Sequence, residues 1–156
     1  MLTINQVVRV FGLLNRHKAK YLVIGGIAAG IHGVPRNTKD LDLAIEPSRP
    51  NAQRVLKALE EAGLGSATLI DARGLLEKDV TIFNDVIPVD VLARPKGLVF
   101  REAWKRRVLR KLGRHQVPVA SIQDLISMKR AAGRPIDLAD LEYLEKLASQ
   151  QGEGRT

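Results

Sequence analysis

The chain contains no cysteine, which excludes disulfide staples, thiolate zinc sites and cysteine nucleophiles together. Any metal must be held by oxygen or imidazole. No apolar run approaches the roughly 20 residues needed to cross a bilayer. The first residues lack the basic, apolar, small-residue order of a secretion signal. A soluble, cytoplasmic protein with no membrane partner is therefore expected. No internal repeat or low-complexity linker is found. Aromatic residues make up 4% of the chain, and acids are outnumbered by bases, 17 to 25.

What is present fits one proper core: 156 residues, 45% of them hydrophobic, suit a single domain with a few appended helices. The net charge of +8 is concentrated rather than spread. Between Arg101 and His115 stand Arg101, Lys105, Arg106, Arg107, Arg110, Lys111 and Arg114 against the single acid Glu102. Such a segment serves equally as a solvated surface whose long side chains cover apolar neighbours, or as a patch attracting RNA or a nucleotide triphosphate. On the second reading Arg106, Arg107 and Arg110 are the candidate polyanion contacts. Trp104 is the only stacking aromatic in the segment, so base recognition has little to rest on there.

Hydrophobic periodicity gives alternating helices and strands. Ile4, Val7, Val8, Phe11 and Leu14 recur at helical spacing and predict a helix over Thr3 to His17. Tyr21 to Ile24 is a buried strand. Ile27 to His32 is a short helix ended by Gly33, and Val34 to Lys39 is a polar loop leading to the strand of Asp40. Pro47 to Pro50 interrupts, and Ala52, Val55, Leu56 and Leu59 define another helix before Gly63. Thr68 to Asp71 reads as a short edge strand. Asp79 to Phe83 and Val86 to Leu92 form a hairpin about Asn84-Asp85. Val99 to Lys105 is helical, and Val108-Leu109 and Val117 to Val119 flank Gly113-Arg114 as a second hairpin. Ser121 with Asp124 caps a helix that stops at Gly133. Asp137 caps a last helix with Leu138, Leu141, Leu144 and Leu147 on one side, and Gln150 to Thr156 reads as a disordered tail.

One constellation stands out. Gly25-Gly26 ends a buried strand and allows a tight turn into a helix whose first N–H groups can meet a phosphate. After thirteen intervening residues comes Asp40-Leu41-Asp42. On a strand both carboxylates leave one face, their Cα atoms about 6.5 Å apart. Asp90 has apolar neighbours on both sides, an expensive place for an unpartnered carboxylate. If its strand lies beside that of Asp40 and Asp42, three like charges meet, which argues for hard divalent cations, most simply Mg²⁺.

The string Gly25-Gly26-Ile27-Ala28, His32-Gly33, Arg36, Thr38, Asp40-Leu41-Asp42-Leu43, with Asp90 on a later strand, resembles the DNA polymerase β-like nucleotidyltransferase superfamily. Within it the chain is most similar to small bacterial nucleotidyltransferases, the group of antibiotic nucleotidyltransferases and AbiEii-type toxins. Lys129, Arg134, Asp137 and Asp140 resemble the Lys…Arg-x-x-Asp-x-x-Asp pattern of that group's C-terminal helices. The resemblance implies an α/β (α+β) fold: a mixed sheet core over 1–120 flanked by helices, with a C-terminal helical pair over 121–149. It also implies transfer of a nucleoside monophosphate from a nucleoside triphosphate to an acceptor hydroxyl by two Mg²⁺ ions. Asp40 and Asp42 would hold the ion on the triphosphate, and Asp90 would help hold the ion that activates the acceptor. Gly25 and Gly26 would admit the phosphates, with Arg36, Thr38 and Lys129 as further phosphate or ribose contacts. RNA, a protein or a small molecule are the candidate acceptors, and a partner or antitoxin protein is a further candidate.

Each residue also has a plain structural role open to it. Paired glycines make turns, an isolated Asp-x-Asp commonly ends a solvated strand, and His32 with no sequence partner is a packed or surface histidine. Asp140 suits the first turn of a helix, and Lys129 suits the end of one. Glycosyltransferases also use Asp-x-Asp but do not need the glycine turn, and a phosphoaspartate phosphatase would want small or hydroxyl residues where Leu43 and Ala44 stand. A noncatalytic nucleotide- or RNA-binding module of the same fold, acting with a partner, is the rival from another class.

Overall fold

The computed structural model describes residues 2–35 and 37–153. Helix α1 (Ile4–Arg16) opens with a reciprocal cap: Gln6 N donates to Thr3 Oγ1 at 3.2 Å, and Thr3 N donates to Gln6 Oε1 at 2.9 Å. Its buried stripe is Val7, Val10, Phe11 and Leu14. Burying a side chain of this size contributes about 2 kcal/mol. Strand β1 (Tyr21–Ile24) is wholly buried, and Phe11 stacks on Tyr21 with ring centroids 6.0 Å apart. Helix α2 (Gly25–His32) starts without a linker, two residues earlier than the apolar spacing suggested, and ends at Gly33 in the left-handed region.

Strand β2 (Leu41–Ile45) and helix α3 (Arg49–Glu61) follow, the latter capped by Ser48. Wholly buried Asn51 ties the start of α3 to the sheet by accepting from Lys20 N and donating to the carbonyls of Lys20 and Glu46. The edge strand expected at Thr68 to Asp71 is not formed. A 3-10 helix occupies Gly65–Leu69, and α4 (Ala72–Glu77) begins after Asp71, whose carboxylate accepts from Gly74 N at 2.8 Å. Local carboxylate and hydroxyl bonds of this kind compete with strand pairing; Thr68 likewise donates to the Gly65 carbonyl.

Strands β3 (Val80–Asn84) and β4 (Pro88–Leu92) form the expected hairpin, but the last pair is Asn84 with Pro88, so the loop is longer than an Asn84-Asp85 turn. Helix α5 (Phe100–Lys105) leads to a second hairpin, β5 (Val108–Leu112) and β6 (His115–Val119). Helices α6 (Ile122–Ala132) and α7 (Pro135–Glu153) complete the chain. Pro135 is the first residue of α7. Asp137 therefore sits one turn in and reaches back to accept from Arg134 N at 3.1 Å. Leu144 of α7 is buried, and Leu141 and Leu147 pack on the core, whereas Leu138 faces solvent. The helix carries through Gln150 to Glu153, so the tail expected from Gln150 begins inside it; 154–156 lie outside the described residues.

The architecture is a mixed six-stranded sheet, order β3-β4-β2-β1-β6-β5, with seven α-helices among the described residues. Pairs β1–β6 and β2–β4 are parallel, and the other three are antiparallel. One face, carrying Tyr21, packs on α1 and α3; the other carries Asp42 and Asp90. No described helix is long and apolar enough to cross a membrane.

Candidate active site

Strand register builds the centre of the site. Asp42 and Asp90 are direct partners on parallel β2 and β4. Ile24 pairs with Asp42 on one side and Ile82 with Asp90 on the other, so Ile24, Asp42, Asp90 and Ile82 form one row across four strands. Alternation then places all four side chains on one face. Ile24 is buried, whereas Ile82, on the edge strand, is 67% exposed.

Gly25 brings the helix terminus against this row. Its φ is +68°, and a Cβ there would overlap Oδ2 of Asp42. Only glycine satisfies both conditions. Ile24, which precedes α2, offers no side-chain cap, so the first N–H groups of the helix stay available beside the carboxylate, an arrangement suited to an anion. Gly26 is buried in the first turn.

Like charges dominate here. Burial, then the charge of Asp90 and a hydrogen bond with it, raise the Asp42 carboxyl from 3.8 to about 7; the charge of Asp40 adds to this, and that of Lys129 opposes it. Burial raises Asp90 as well, with Asp40 again adding, while the bond with Asp42 works the other way. The opposite effects of that one bond follow if Asp42 carries the shared proton and Asp90 accepts it.

A cleft of about 390 Å³ opens over this row, between the sheet and helices α6 and α7. Its apolar wall is Val80, Leu92, Pro95, Leu125, Met128 and Ala132, and its polar lining includes Arg94, Lys96, Lys129, Arg134 and Asp137. Gly97, at φ +79°, lets the loop after β4 lie directly on α6; a Cβ would meet the Ser127 carbonyl at 2.6 Å. Arg94 is engaged by Asp79 and the Glu77 carbonyl.

The remaining sequence candidates are placed differently. Asp40 lies on the loop before β2, exposed, rather than on the strand with Asp42. Its charge reaches Asp42 and Asp90, but neither it nor Thr38 is among the described residues lining the cleft. Arg36 lies outside the described residues. Lys129 is in the cleft but bound: its Nζ is 3.1 Å from both Asp137 Oδ1 and Asp140 Oδ2. His32 Nε2 donates to the Ala120 carbonyl at 2.8 Å, and burial lowers its pKa, so the ring is a neutral pin between α2 and the end of β6. Arg134, assigned no role by the sequence reading, stands beside Asp42, whose charge it feels.

The basic segment is split. Arg106 is committed to buried Asp124 through two bonds of 3.1 and 2.8 Å, which removes it from the free cations. Arg107 lies over Trp104 at 4.2 Å. Arg110 and Lys111 are exposed on β5, four strand spacings from β4 or about 19 Å.

Among the described residues no three acidic or imidazole groups converge closely enough to hold a metal unaided. The donors nonetheless suit a hard cation that arrives with other oxygens: Mg²⁺ is commonly held by one or two carboxylates plus substrate phosphates.

No protein-family model and no curated protein matches the chain. Among solved structures, a crystal structure from Thermotoga maritima of a protein to which nucleotidyltransferase activity is attributed is 15% identical over 94% of this chain and 91% of that one, with a TM-score of 0.48.

Proposed function

We propose that the chain is a nucleotidyltransferase of the DNA polymerase β-like type, moving a nucleoside monophosphate from a nucleoside triphosphate to an acceptor hydroxyl. The observation that carries this reading is the register pair of Asp42 and Asp90 beside the uncapped start of α2, with Gly25 cut to fit Asp42. Asp42 and Asp90 would hold Mg²⁺, with Asp40 joining from its loop, and two such ions would stabilise the attacking and leaving oxygens of an in-line displacement. The N–H groups of α2, with Gly26 buried in its first turn, would bind the phosphates; Arg36 and Thr38 enter only through the motif resemblance. Asp90, next to the open sheet edge, faces the acceptor. The apolar wall of Leu92, Pro95, Leu125 and Met128 excludes water around the nucleotide.

Two features of the donor half bear on binding. Burial and the charge of Asp90 favour the protonated form of Asp42, so a cation bound there would displace a proton. Gly25 leaves room for the Asp42 carboxylate to lie against the helix start. The finer likeness to AbiEii-type toxins and antibiotic nucleotidyltransferases, and with it any antitoxin partner, rests on the motif string alone. RNA remains a candidate acceptor through Arg107 and Arg110.

A second reading, a noncatalytic nucleotide-binding module, is favoured by the position of Asp40 off the strand. Incubation with labelled triphosphates, Mg²⁺ and total cellular RNA, protein or small hydroxylated compounds separates the two. Metal-dependent label transfer that disappears in Asp42→Asn supports the enzyme. Triphosphate binding without transfer to any acceptor class supports the module.

A further inference from the structure

We propose that Arg134 reads the terminal phosphates of the bound nucleotide, and that Lys129 is a structural counter-ion. The inference rests on the nucleotide-binding reading above and goes beyond it by dividing the two cations of the cleft between binding and folding.

Both residues line the cleft, and both lie near enough to Asp42 to exchange charge effects with it. Their surroundings differ. The Lys129 side chain is 12% exposed, and its ammonium lies between Asp137 and Asp140, themselves almost fully buried. Withdrawing it would take the ammonium from two largely buried carboxylates, a costly change. A flexible ammonium pinned from two sides has little left to offer a ligand.

Arg134 is 69% exposed. Its Nε donates to Asp137 Oδ2 at 2.7 Å and its Nη2 to Asp137 Oδ1 at 3.2 Å, a two-point grip on a carboxylate that is 1% exposed. Nη1 makes no hydrogen bond among the described residues. A guanidinium has five N–H donors in a rigid plane. Two are spent on Asp137, and they fix the plane for the rest. Arg134 thus need not be released in order to bind. The buried carboxylate orients it, and three donors remain for a ligand. Gly25, the first residue of α2, and Asp42 line the same cleft as Arg134, so those donors are placed to serve phosphate oxygens held at that helix start.

Calorimetric titration tests this with whichever common triphosphate wild type binds most tightly, together with its di- and monophosphate, each with Mg²⁺. Arg134→Ala is expected to weaken the triphosphate by about 10- to 100-fold, the value of charge-assisted hydrogen bonds, to weaken the monophosphate much less, and to melt lower because Asp137 loses its two-point partner. Arg134→Lys, which keeps a cation on Asp137 while losing the planar fork, is expected to fold and to show an intermediate loss of the triphosphate preference. Lys129→Met is expected to melt lower yet keep the wild-type ratio of triphosphate to monophosphate affinity. An unchanged ratio in both Arg134 variants overturns the inference while leaving nucleotide binding intact. So does a Lys129→Met protein that melts normally and loses the ratio. A wild type that binds none of the four triphosphates overturns the nucleotide reading itself, and this inference with it.

Discussion

Asp42 and Asp137 face the same cleft, yet their carboxyls are driven in opposite directions, to about 7 and about 2. Both are shielded from water. The difference lies in the company: Asp137 is gripped by Arg134 and Lys129, whereas Asp42 has another carboxylate across the strand pair and a third on the adjoining loop. The first group is balanced within the protein and holds α6 to α7. The second is left short of positive charge, a state a folded chain tolerates where a ligand restores the balance.

The largest way to break this contrast is chemical. Asp42→Asn removes charge with little change of shape, so it should fold, and label transfer should fall by well over about 100-fold, the upper range for losing a group that merely orients a metal ligand. Wild-type transfer rates in this variant would place the chemistry elsewhere.

Next comes the balanced group. Lys129→Met removes the ammonium from Asp137 and Asp140 and should cost about 3 kcal/mol in urea unfolding, the lower range for breaking a buried ion pair. A neutral effect would mean that water already reaches the pair.

Acidity separates the two groups by sign. The folded-state pKa of Asp42 lies above its unfolded value, so between about pH 4 and 7 the native chain binds the extra proton, and this group's contribution to stability falls as pH rises. Asp137 is the reverse: its stabilisation is present above about pH 4 and is lost as pH falls toward 2. Unfolding free energy measured across pH 2–8 should lose its falling limb in Asp42→Asn and its rising limb in Asp137→Asn, and Mg²⁺ with a triphosphate should flatten the former.

The smallest effect concerns the far edge of the sheet. If Arg107 and Arg110 guide RNA, replacing both with alanine should flatten the salt dependence of single-strand binding by about 1.4, or 0.7 per lost contact, with triphosphate binding unaltered. Arg106 does not belong in that variant, because Asp124 would be left buried and unpaired.

Much of the centre was legible in sequence because strand alternation and hydrophobic context are local. The pairing of Asp42 with Asp90 needed only two strands read correctly and placed side by side. Asp40 was misplaced by the same logic, since alternation says nothing about where a strand begins, and β2 starts one residue later. The commitments of Arg106 to Asp124 and of Lys129 to Asp137 and Asp140 depend on how α5, α6 and α7 meet, which no spacing encodes. Gly25 was legible as a turn but not as a clearance for Asp42. The 3-10 segment at Gly65–Leu69 escaped because Thr68-Leu69-Ile70 has strand-like composition, and its fate was decided by side-chain bonds at Thr68 and Asp71.

The open edge at Ile82 has a consequence for descent. On the donor side nearly every neighbour of Asp42 is locked: Ile24 is buried, Gly25 tolerates no side chain, and Lys129 holds two helices together. At the open edge, Val80, Ile82 and Val86 are exposed, so exchanging them costs the fold little. If the chain transfers nucleotides as proposed, its scaffold leaves the surface beside Asp90 free to change while the surroundings of Asp42 stay fixed. Libraries randomised at Val80, Ile82 and Val86 would explore new acceptors with most members still folded.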